Sequence, residues 1–295
     1  MLNLQIANKM TNLELKHFTQ QPAWLRDNHY LHNNHRAPTA SYLMCLKSCF
    51  MLHTETMNIW THLIPCFLFV FLILKTIESG NLTATDKIVI NLFLLGAFLC
   101  HSFSTAFHAF SCHSERVGKF FQKLDYVGIC LLITMSFLPF LHYGFKKNSF
   151  YAHTYLATVI SLGVMSIWFS MDDKFGTAAY RPVRAVGFAT FGLFGLVPGL
   201  HWLSLYRDQF WACLDLKTSF ISLIIMGVLY ITGASLYACR IPERFFPGKC
   251  DLFLHSHQIF HVLVTAAALV HYYGINVLVY HVKSLENGKE TNCAI

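Results

Sequence analysis

Seven stretches of this 295-residue chain contain no Asp, Glu, Lys or Arg, and with its flanking residues each is long enough to cross a lipid bilayer. Residues 218–238 show the pattern, because a helix of this length extends for about 31 Å, close to the thickness of the hydrocarbon core. The seven stretches are residues 59–74, 88–110, 126–143, 149–171, 185–206, 218–238 and 257–282. We therefore predict an all-α integral membrane protein, a bundle of seven transmembrane helices.

Composition and charge pattern exclude three other classes of protein. Charged residues make up only 13% of the chain, which leaves no large water-exposed surface. An outer-membrane barrel would instead show segments of about ten residues with alternating polarity. The formal net charge of +7 does not indicate binding to nucleic acid, because the basic residues flank the spans, next to anionic lipid headgroups. We expect no nucleic-acid partner.

The distribution of basic residues predicts the orientation. With a cytoplasmic amino terminus, 14 of the 22 Lys and Arg residues lie on the inner side of the membrane. Loops that stay in the cytoplasm carry such an excess. Seven spans then place the carboxyl terminus outside, opposite to G-protein-coupled receptors, so no G protein is expected as a partner. The sequon at Asn81 falls in the first outer loop of this topology.

The chain divides into four predicted regions. Residues 1–40 are polar and form a cytoplasmic amino-terminal tail, and residues 41–58 form an amphipathic juxtamembrane helix along the inner headgroup layer. Residues 59–283 form the transmembrane domain, and residues 284–295 form an extracellular tail. The first fifty residues lack the apolar core of a cleavable signal peptide. The cysteines show no Cys-x-x-Cys spacing, and we expect no disulfide framework.

Polar side chains of three different spans meet at one depth in this topology. His108 lies near the inner end of the second span, four residues after Ser104 on the same helix face. Asp125 opens the third span from the inner side. His257 and His261 share one face at the inner end of the seventh span. Ionisable groups in a bilayer are costly unless they are paired or functional, so this convergence predicts a site.

Three neutral imidazoles with a fourth open position are typical of a catalytic zinc ion, which lowers the pKa of a water to about 7. Asp125 would then hold that water or accept its proton. The alternative is that the histidines only make hydrogen bonds between helices. Ser104 could be a nucleophile or a neighbour of the ligands, or could bond its own helix backbone. His101 and His271 are predicted to be bonded within the bundle, and His255 is left outside the site.

Six longer motifs are distinctive. They read HTETMNIWTH at 53–62, STAFH at 104–108, CHSE at 112–115, KLDY at 123–126, RIPERFFPGK at 240–249 and SHQIFH at 256–261. Together they closely resemble the adiponectin receptors of the progestin and adipoQ receptor family, over residues 24–273. The resemblance implies a plasma-membrane protein with a Zn²⁺ ion in the inner leaflet, held by His108, His257 and His261, with Asp125 beside the metal.

The resemblance also implies an activity and its partners. It implies hydrolysis of lipid amides, with ceramide giving sphingosine and a fatty acid, in hormone response and membrane lipid balance. The partners are then membrane lipids, ceramide or free fatty acid, and an extracellular protein hormone. Tyr126 and Arg184 are candidates for holding the lipid headgroup or a fatty-acid carboxylate. For the Glu55, Asn58 and His62 face, helix capping or packing against the zinc-bearing end is preferred.

Two other functions stay open at this point. The protein could be a signalling receptor in which zinc is purely structural and ties the second and seventh helices together. It could also be a sensor of membrane fluidity with no enzymatic activity. A metal or proton transporter is disfavoured, because transport needs polar residues along the whole path and here they gather at one end.

Overall fold

In the computed structural model, residues 14–286 are described, and by length and composition seven helical segments can cross a membrane. The helices are α1 (Tyr42–Ser48), α2 (Thr56–Glu78), α3 (Ala84–Phe110), α4 (Glu115–Gly144), α5 (Ser149–Ser170), α6 (Arg181–Leu193), α7 (Leu196–Leu205), α8 (Arg207–Ala212), α9 (Leu214–Cys239) and α10 (Ser256–Glu286). Helices α6 and α7 together make the fifth span. The predicted all-α membrane protein with seven spans is confirmed, whereas its orientation stays a prediction.

Several helices continue beyond the uncharged stretches that predicted them. Helix α4 begins at Glu115 instead of residue 126, where the side chain of Ser114 accepts a hydrogen bond from the Val117 amide. Its 30 residues extend for about 45 Å, well beyond a hydrocarbon core of about 30 Å. The absence of charge therefore marks only the part of a helix within lipid, because the rest can carry charged residues into the headgroup layer.

The fifth span is interrupted, which the sequence pattern did not predict. Helix α6 ends at Leu193, α7 starts at Leu196, and Phe194 and Gly195 lie between them. Pro198 has no amide hydrogen to donate to the Phe194 carbonyl four residues earlier. The Phe194 carbonyl instead accepts from the Val197 amide at 2.9 Å, one residue tighter than an α-helical bond. The proline thus breaks the hydrogen-bond ladder at this point.

Helices α2, α3, α4 and α10 form the centre of the bundle, whereas few residues of α5 and α9 are fully buried, which suits contact with lipid. Phe69, Phe93 and Leu94 are fully buried in the core where α2 meets α3. Helices α3 and α4 approach closely at Gly128, where an added Cβ would lie 2.9 Å from the Cα of Cys100. Small residues at such crossings allow close helix packing.

The amino-terminal segment packs against one end of the bundle. Strands β1 (Leu15–Lys16) and β2 (His35–Arg36) pair antiparallel, and the buried Arg36 guanidinium donates to the carbonyls of His108 and Ala109. A cation at a helix carboxyl end satisfies carbonyls that have no partner within the helix. The Asp251 carboxylate accepts from the amides of His32 and Asn33, both at 2.8 Å. Residues 14–40 therefore cover the end of α3 and the loop before α10.

The structure covers the predicted juxtamembrane helix and parts of the two predicted tails. Helix α1 covers only part of residues 41–58; Leu43 and Leu46 are exposed and Cys45 is buried, and its position on a membrane stays a prediction. Of the predicted tails, residues 1–13 and 287–295 lie outside the described residues. Residues 284–286 are still helical, as the end of α10. The nine cysteines within the described residues are free thiols.

Candidate metal centre

Three histidines from two helices meet at one end of the bundle. His108 lies in the last turn of α3, and His257 and His261 lie in the first turns of α10. One nitrogen of each ring falls within 4.8 Å of the others, and the Nε2 atoms of His108 and His257 are 3.1 Å apart. Two nitrogens on one tetrahedral zinc ion are about 3.3 Å apart, since each bond is about 2.0–2.1 Å. The three residues therefore fit a zinc ion.

A buried carboxylate fixes the start of α10 and so the position of two of these rings. Glu243 accepts from the amide of Ser256 at 2.7 Å and from the Asn28 side chain at 3.0 Å, and it is fully buried. A negative charge at a helix amino terminus is stabilised by the free amides there. The motif at 240–249 and the amino-terminal segment thus hold His257 and His261 in place.

The second nitrogen of two rings is bonded to an acceptor. His108 Nδ1 lies 2.7 Å from Glu55 Oε2, and His261 Nδ1 lies 3.2 Å from the Asn58 carbonyl. An ionised carboxylate and a carbonyl can only accept, so the proton is on Nδ1 and the lone pair of each ring is on Nε2. Metal-binding histidines are commonly oriented in this way. The outer bonds therefore prepare both rings to bind a cation.

Glu55 holds this position although the sequence indicated only capping or packing. It stands at the N-cap of α2, yet its side chain makes no capping bond. It accepts from His108 and, at 2.7 Å, from the Asn58 side chain. Burial alone would raise the pKa of Glu55, but these bonds outweigh it and hold the pKa well below its usual range. The only signal in the sequence was an acidic residue just before a span; its partner, His108, lies on another helix.

His62 adds a fourth imidazole beside the cluster. Its ring stacks on His261 with centroids 3.6 Å apart and lies 4.5 Å from His101. Both of its nitrogens are buried without a hydrogen-bond partner among residues 14–286. Buried polar atoms normally have partners, so the two His62 nitrogens could bind a further polar group beside the three clustered histidines. The sequence had suggested only a packing role for His62.

Asp125 and Ser104 stand next to the cluster without joining it. Asp125 is a buried residue of α4 that lies outside the group of three metal-binding donors. Ser104 is also buried, one helical turn before His108 on α3. Both residues line the same cavity as His108. The Asp125 carboxylate can therefore accept or donate a proton beside the histidines without itself binding the metal.

Tyr126 and Arg184 also line the cavity, and both contact neighbouring groups of the chain. The Tyr126 ring packs edge-on to Phe175, and the Arg184 guanidinium lies 5.6 Å from the Tyr126 ring centre. Arg184 also donates to the carbonyls of Phe175 and Thr177 and, at 3.1 Å, to the Tyr237 hydroxyl. Their roles in lipid binding stay predictions, since Arg184 is occupied in holding the segment before α6.

Three histidines outside the cluster behave differently. His101 bonds the Ala97 carbonyl at 2.7 Å and the Thr265 hydroxyl at 3.0 Å, and His271 bonds the Ser136 carbonyl at 2.8 Å. The prediction that His101 and His271 are bonded within the bundle is confirmed. His255 is buried and faces the Thr54 carbonyl, so it lies outside the group of metal-binding donors.

A cavity of about 950 Å³ extends from the cluster into the bundle. Charged and polar side chains, among them Lys119, Gln122 and Asp173, line it at the end of the bundle where the histidines lie. Its apolar wall includes Leu132, Ile133, Phe137, Leu196, Leu223 and Ile224. Ligand sites of this size are mostly apolar with a few placed polar groups. The cavity therefore suits a long apolar molecule whose polar part lies beside the histidines.

Comparison with known proteins agrees with this architecture. The profile of the family described as "Haemolysin-III related" matches residues 50–272. The "Adiponectin receptor protein" of Drosophila melanogaster is 48% identical over 262 residues, covering 88% of this chain and 58% of that protein. The "Progestin and adipoQ receptor-like protein 1" of Caenorhabditis elegans is 46% identical over 267 residues, covering 88% and 59%. The "ADIPOR-like receptor IZH2" of Saccharomyces cerevisiae is 40% identical over 275 residues, covering 90% and 85%.

The chain thus spans less than two thirds of the length of its fly and worm relatives. The match nevertheless includes the seven spans up to the middle of α10, together with all three clustered histidines. With identities of 40–48% over most of its length, this chain belongs to the progestin and adipoQ receptor family, within the haemolysin-III-related proteins.

Proposed function

We propose that this adiponectin-receptor-like membrane protein is a zinc-dependent hydrolase of lipid amides, with ceramide as the substrate class. The observation that carries the proposal is the position of the three histidines at the polar end of a long, largely apolar cavity. A purely structural metal site needs no adjoining cavity. A lipid amidase needs one, because the amide and the acyl chain enter together.

Zinc suits the donor set better than the other common ions. Calcium and magnesium prefer oxygen ligands, whereas zinc binds imidazole nitrogens, and catalytic zinc sites keep one position for water or substrate. When bound, zinc supplies Lewis acidity that polarises a carbonyl and lowers the pKa of water to about 7. His108, His257 and His261 would hold it, with Glu55 and Asn58 fixing two of the rings.

The residues of the chain supply binding and proton transfer. The apolar wall at Leu223 and Ile224 would hold the acyl chain and exclude water from it. A carboxyl oxygen of Asp125 would take a proton from the water that attacks the amide carbon and, as the C–N bond breaks, pass it to the departing amine nitrogen. Ser104, which lines the same cavity, would orient that carboxylate. The products are then a sphingoid amine and a fatty acid.

The wider biological role is proposed by likeness to the relatives. The fly relative is named as an adiponectin receptor, so we propose a receptor role with an extracellular protein hormone as partner. We propose the plasma membrane as the location, with the amino terminus in the cytoplasm, since this orientation places most Lys and Arg residues inside. The histidine cluster then faces the inner leaflet, and no G protein is expected.

Metal analysis and ceramide hydrolysis on the purified full chain test the proposal. Wild type should hold stoichiometric zinc and release sphingosine; His257→Ala should lose both, and Asp125→Asn should keep zinc and lose turnover by at least about 100-fold. His153→Ala and Asp208→Asn change exposed residues outside the cavity and serve as controls. Full activity after either site substitution would refute the mechanism.

Two further measurements, of unfolding temperature and of lipid saturation in cells, separate the two other functions. If zinc-loaded wild type never releases sphingosine and His257→Ala unfolds at lower temperature, the metal is structural and the protein acts as a receptor only. If a folded, metal-free variant still restores the adjustment of lipid saturation in cells, a non-enzymatic membrane-fluidity sensor is the better description. The two rings held from outside the cluster, His108 by Glu55 and His261 by the Asn58 carbonyl, are the observation that favours the structural alternative.

A further inference from the structure

A second cluster of metal-binding donors lies at the opposite end of the bundle. Cys213 precedes α9, Asp215 lies in its first turn, and His281 lies near the end of α10. One donor atom of each residue falls within 4.8 Å of the others. His281 follows His261 by twenty residues of continuous helix, which separates the two clusters by about 30 Å. The geometry points to a second, separate site for a zinc-like divalent ion at Cys213, Asp215 and His281.

The distances match the edges of a tetrahedral zinc site. Cys213 Sγ lies 3.7 Å from His281 Nδ1, and Asp215 Oδ2 lies 3.4 Å from the same nitrogen. Zinc bonds of about 2.3 Å to sulfur, 2.05 Å to nitrogen and 2.0 Å to oxygen at tetrahedral angles give edges of about 3.6 Å and 3.3 Å. A hydrogen bond from imidazolium to carboxylate is shorter, about 2.7–2.9 Å. The side chains thus stand at the spacing of ligands around one ion.

The arrangement differs from that of a cysteine nucleophile with its base. In such a triad the cysteine and the carboxylate face opposite nitrogens of the histidine, so that the ring relays a proton. Here the sulfur and the carboxylate oxygen both face Nδ1 of His281. A single lone pair on Nδ1, with sulfur and oxygen on either side, is the arrangement of three ligands converging on one cation.

Burial and helix packing hold the donors in place. Cys213 is 2% exposed and His281 is 1% exposed, whereas Asp215 is open on one side and leaves room for a fourth ligand. Helices α9 and α10 approach closely at Gly274, where an added Cβ would lie 2.6 Å from the Cβ of Ser222. Gly274 is two turns before His281 on the same helix face. The crossing therefore fixes the distance between the ends of α9 and α10 that carry the donors.

Nearby ammonium groups are directed away from this cluster. Lys217 lies over the Trp211 ring, 5.9 Å from its centre, and Lys283 pairs with Asp86 at 2.8 Å. Within residues 14–286, no Lys or Arg side chain pairs with the Asp215 carboxylate. A carboxylate and a thiol that becomes a thiolate when it binds metal would offset the charge of a divalent ion. The electrostatics therefore favour a cation at this position.

Such an ion would join the start of α9 to the end of α10. Its donors include sulfur, nitrogen and oxygen, which selects zinc or a similar borderline ion over calcium and magnesium. It lies far from the cavity's histidines and requires no catalytic activity of the protein. We infer a structural role, in which metal binding stabilises the contact between these two helices at one end of the bundle.

Cobalt(II) titration of the purified full chain tests this site separately from the histidine cluster. Thiolate ligands give cobalt(II) a near-ultraviolet charge-transfer band that imidazole ligands do not give. Wild type and His257→Ala should both show this band. Cys213→Ser should lose it, and Asp215→Asn should shift its titration midpoint by about tenfold or more. Cys239→Ser, an exposed cysteine at the other end of α9, is the matched control and should keep the band.

Thermal unfolding completes the test. In a chelator, Cys213→Ser should unfold at the same temperature as wild type, which shows that the variant is folded. Added zinc should raise the unfolding temperature of His257→Ala but not that of the Cys213→Ser, His257→Ala double variant. Absence of a thiolate band in wild type, or an equal band in Cys213→Ser, would overturn the second site and leave the amidase proposal untouched.

Discussion

Replacing Glu55 by alanine removes the acceptor that orients His108. The His108 Nδ1 to Glu55 Oε2 distance is 2.7 Å, the length of a charge-assisted hydrogen bond. Such bonds contribute about 1.5–3 kcal/mol, and losing an outer partner of a metal-binding histidine weakens metal binding by about 10- to 100-fold. The two figures agree, since 100-fold is about 2.7 kcal/mol. We expect the zinc dissociation constant of Glu55→Ala to rise within this range.

Glu55→Gln separates the charge from the hydrogen bond. The amide oxygen can still accept from His108, but a neutral acceptor forms a bond about half as strong as a charged one. We expect its zinc affinity to lie between those of wild type and Glu55→Ala. The order of the three affinities tests whether the carboxylate charge, and not only the space that it fills, prepares His108 for the metal.

Competition with a chelator of known zinc affinity measures the effect on purified full chains. Glu78→Ala changes an exposed acid at the other end of α2 and should keep the wild-type affinity. The unfolding temperature without metal shows whether each variant is folded. A folded Glu55→Ala chain with wild-type zinc affinity would refute the argument that this carboxylate orients the ligand.

Two further predictions concern packing and charge. Gly274→Ala should destabilise the protein by about 1–3 kcal/mol, seen as a lower unfolding temperature, because its Cβ would lie 2.6 Å from that of Ser222; Gly227→Ala, with nothing within 4 Å of the added Cβ, should not. Burial alone would raise the pKa of Asp27, but its ion pair with Arg181 and the nearby Arg240 outweigh burial and lower the pKa. The pair should therefore stabilise the fold above about pH 4 and lose its effect as the pH falls through the lowered pKa, so the difference in unfolding temperature between wild type and Asp27→Asn should vanish in acid.

Much of the fold follows from patterns along the chain. Stretches without charge, such as residues 218–238, predict spans because lipid excludes charged groups whatever their neighbours are. The spacing of His257 and His261 predicts a shared face because helical geometry is local. Counting the spans then predicts that His108 lies at the same end of the bundle as His257 and His261. These inferences need no knowledge of which helices touch.

Specific side-chain partners on distant segments were not predicted. Glu55 was expected to cap its helix or pack against the zinc-bearing end, since nothing along the sequence pairs it with His108 fifty-three positions later. The cluster of Cys213 and His281 could not be predicted either, because these residues are far apart in the sequence and meet only where the ends of α9 and α10 come together. Arg184 was predicted as a lipid-binding candidate, yet its donors reach carbonyls and a tyrosine that only the folded chain brings near.

The sequence by itself determined that this is a membrane protein, how many spans it has and at which end of the bundle its histidines gather, because these depend on hydrophobicity and helical periodicity. The tertiary structure alone decided which rings face one another and which outer groups orient them. Those features depend on how closely helices approach, as at Gly128 against Cys100, and such approaches are settled by the packing of whole helix faces.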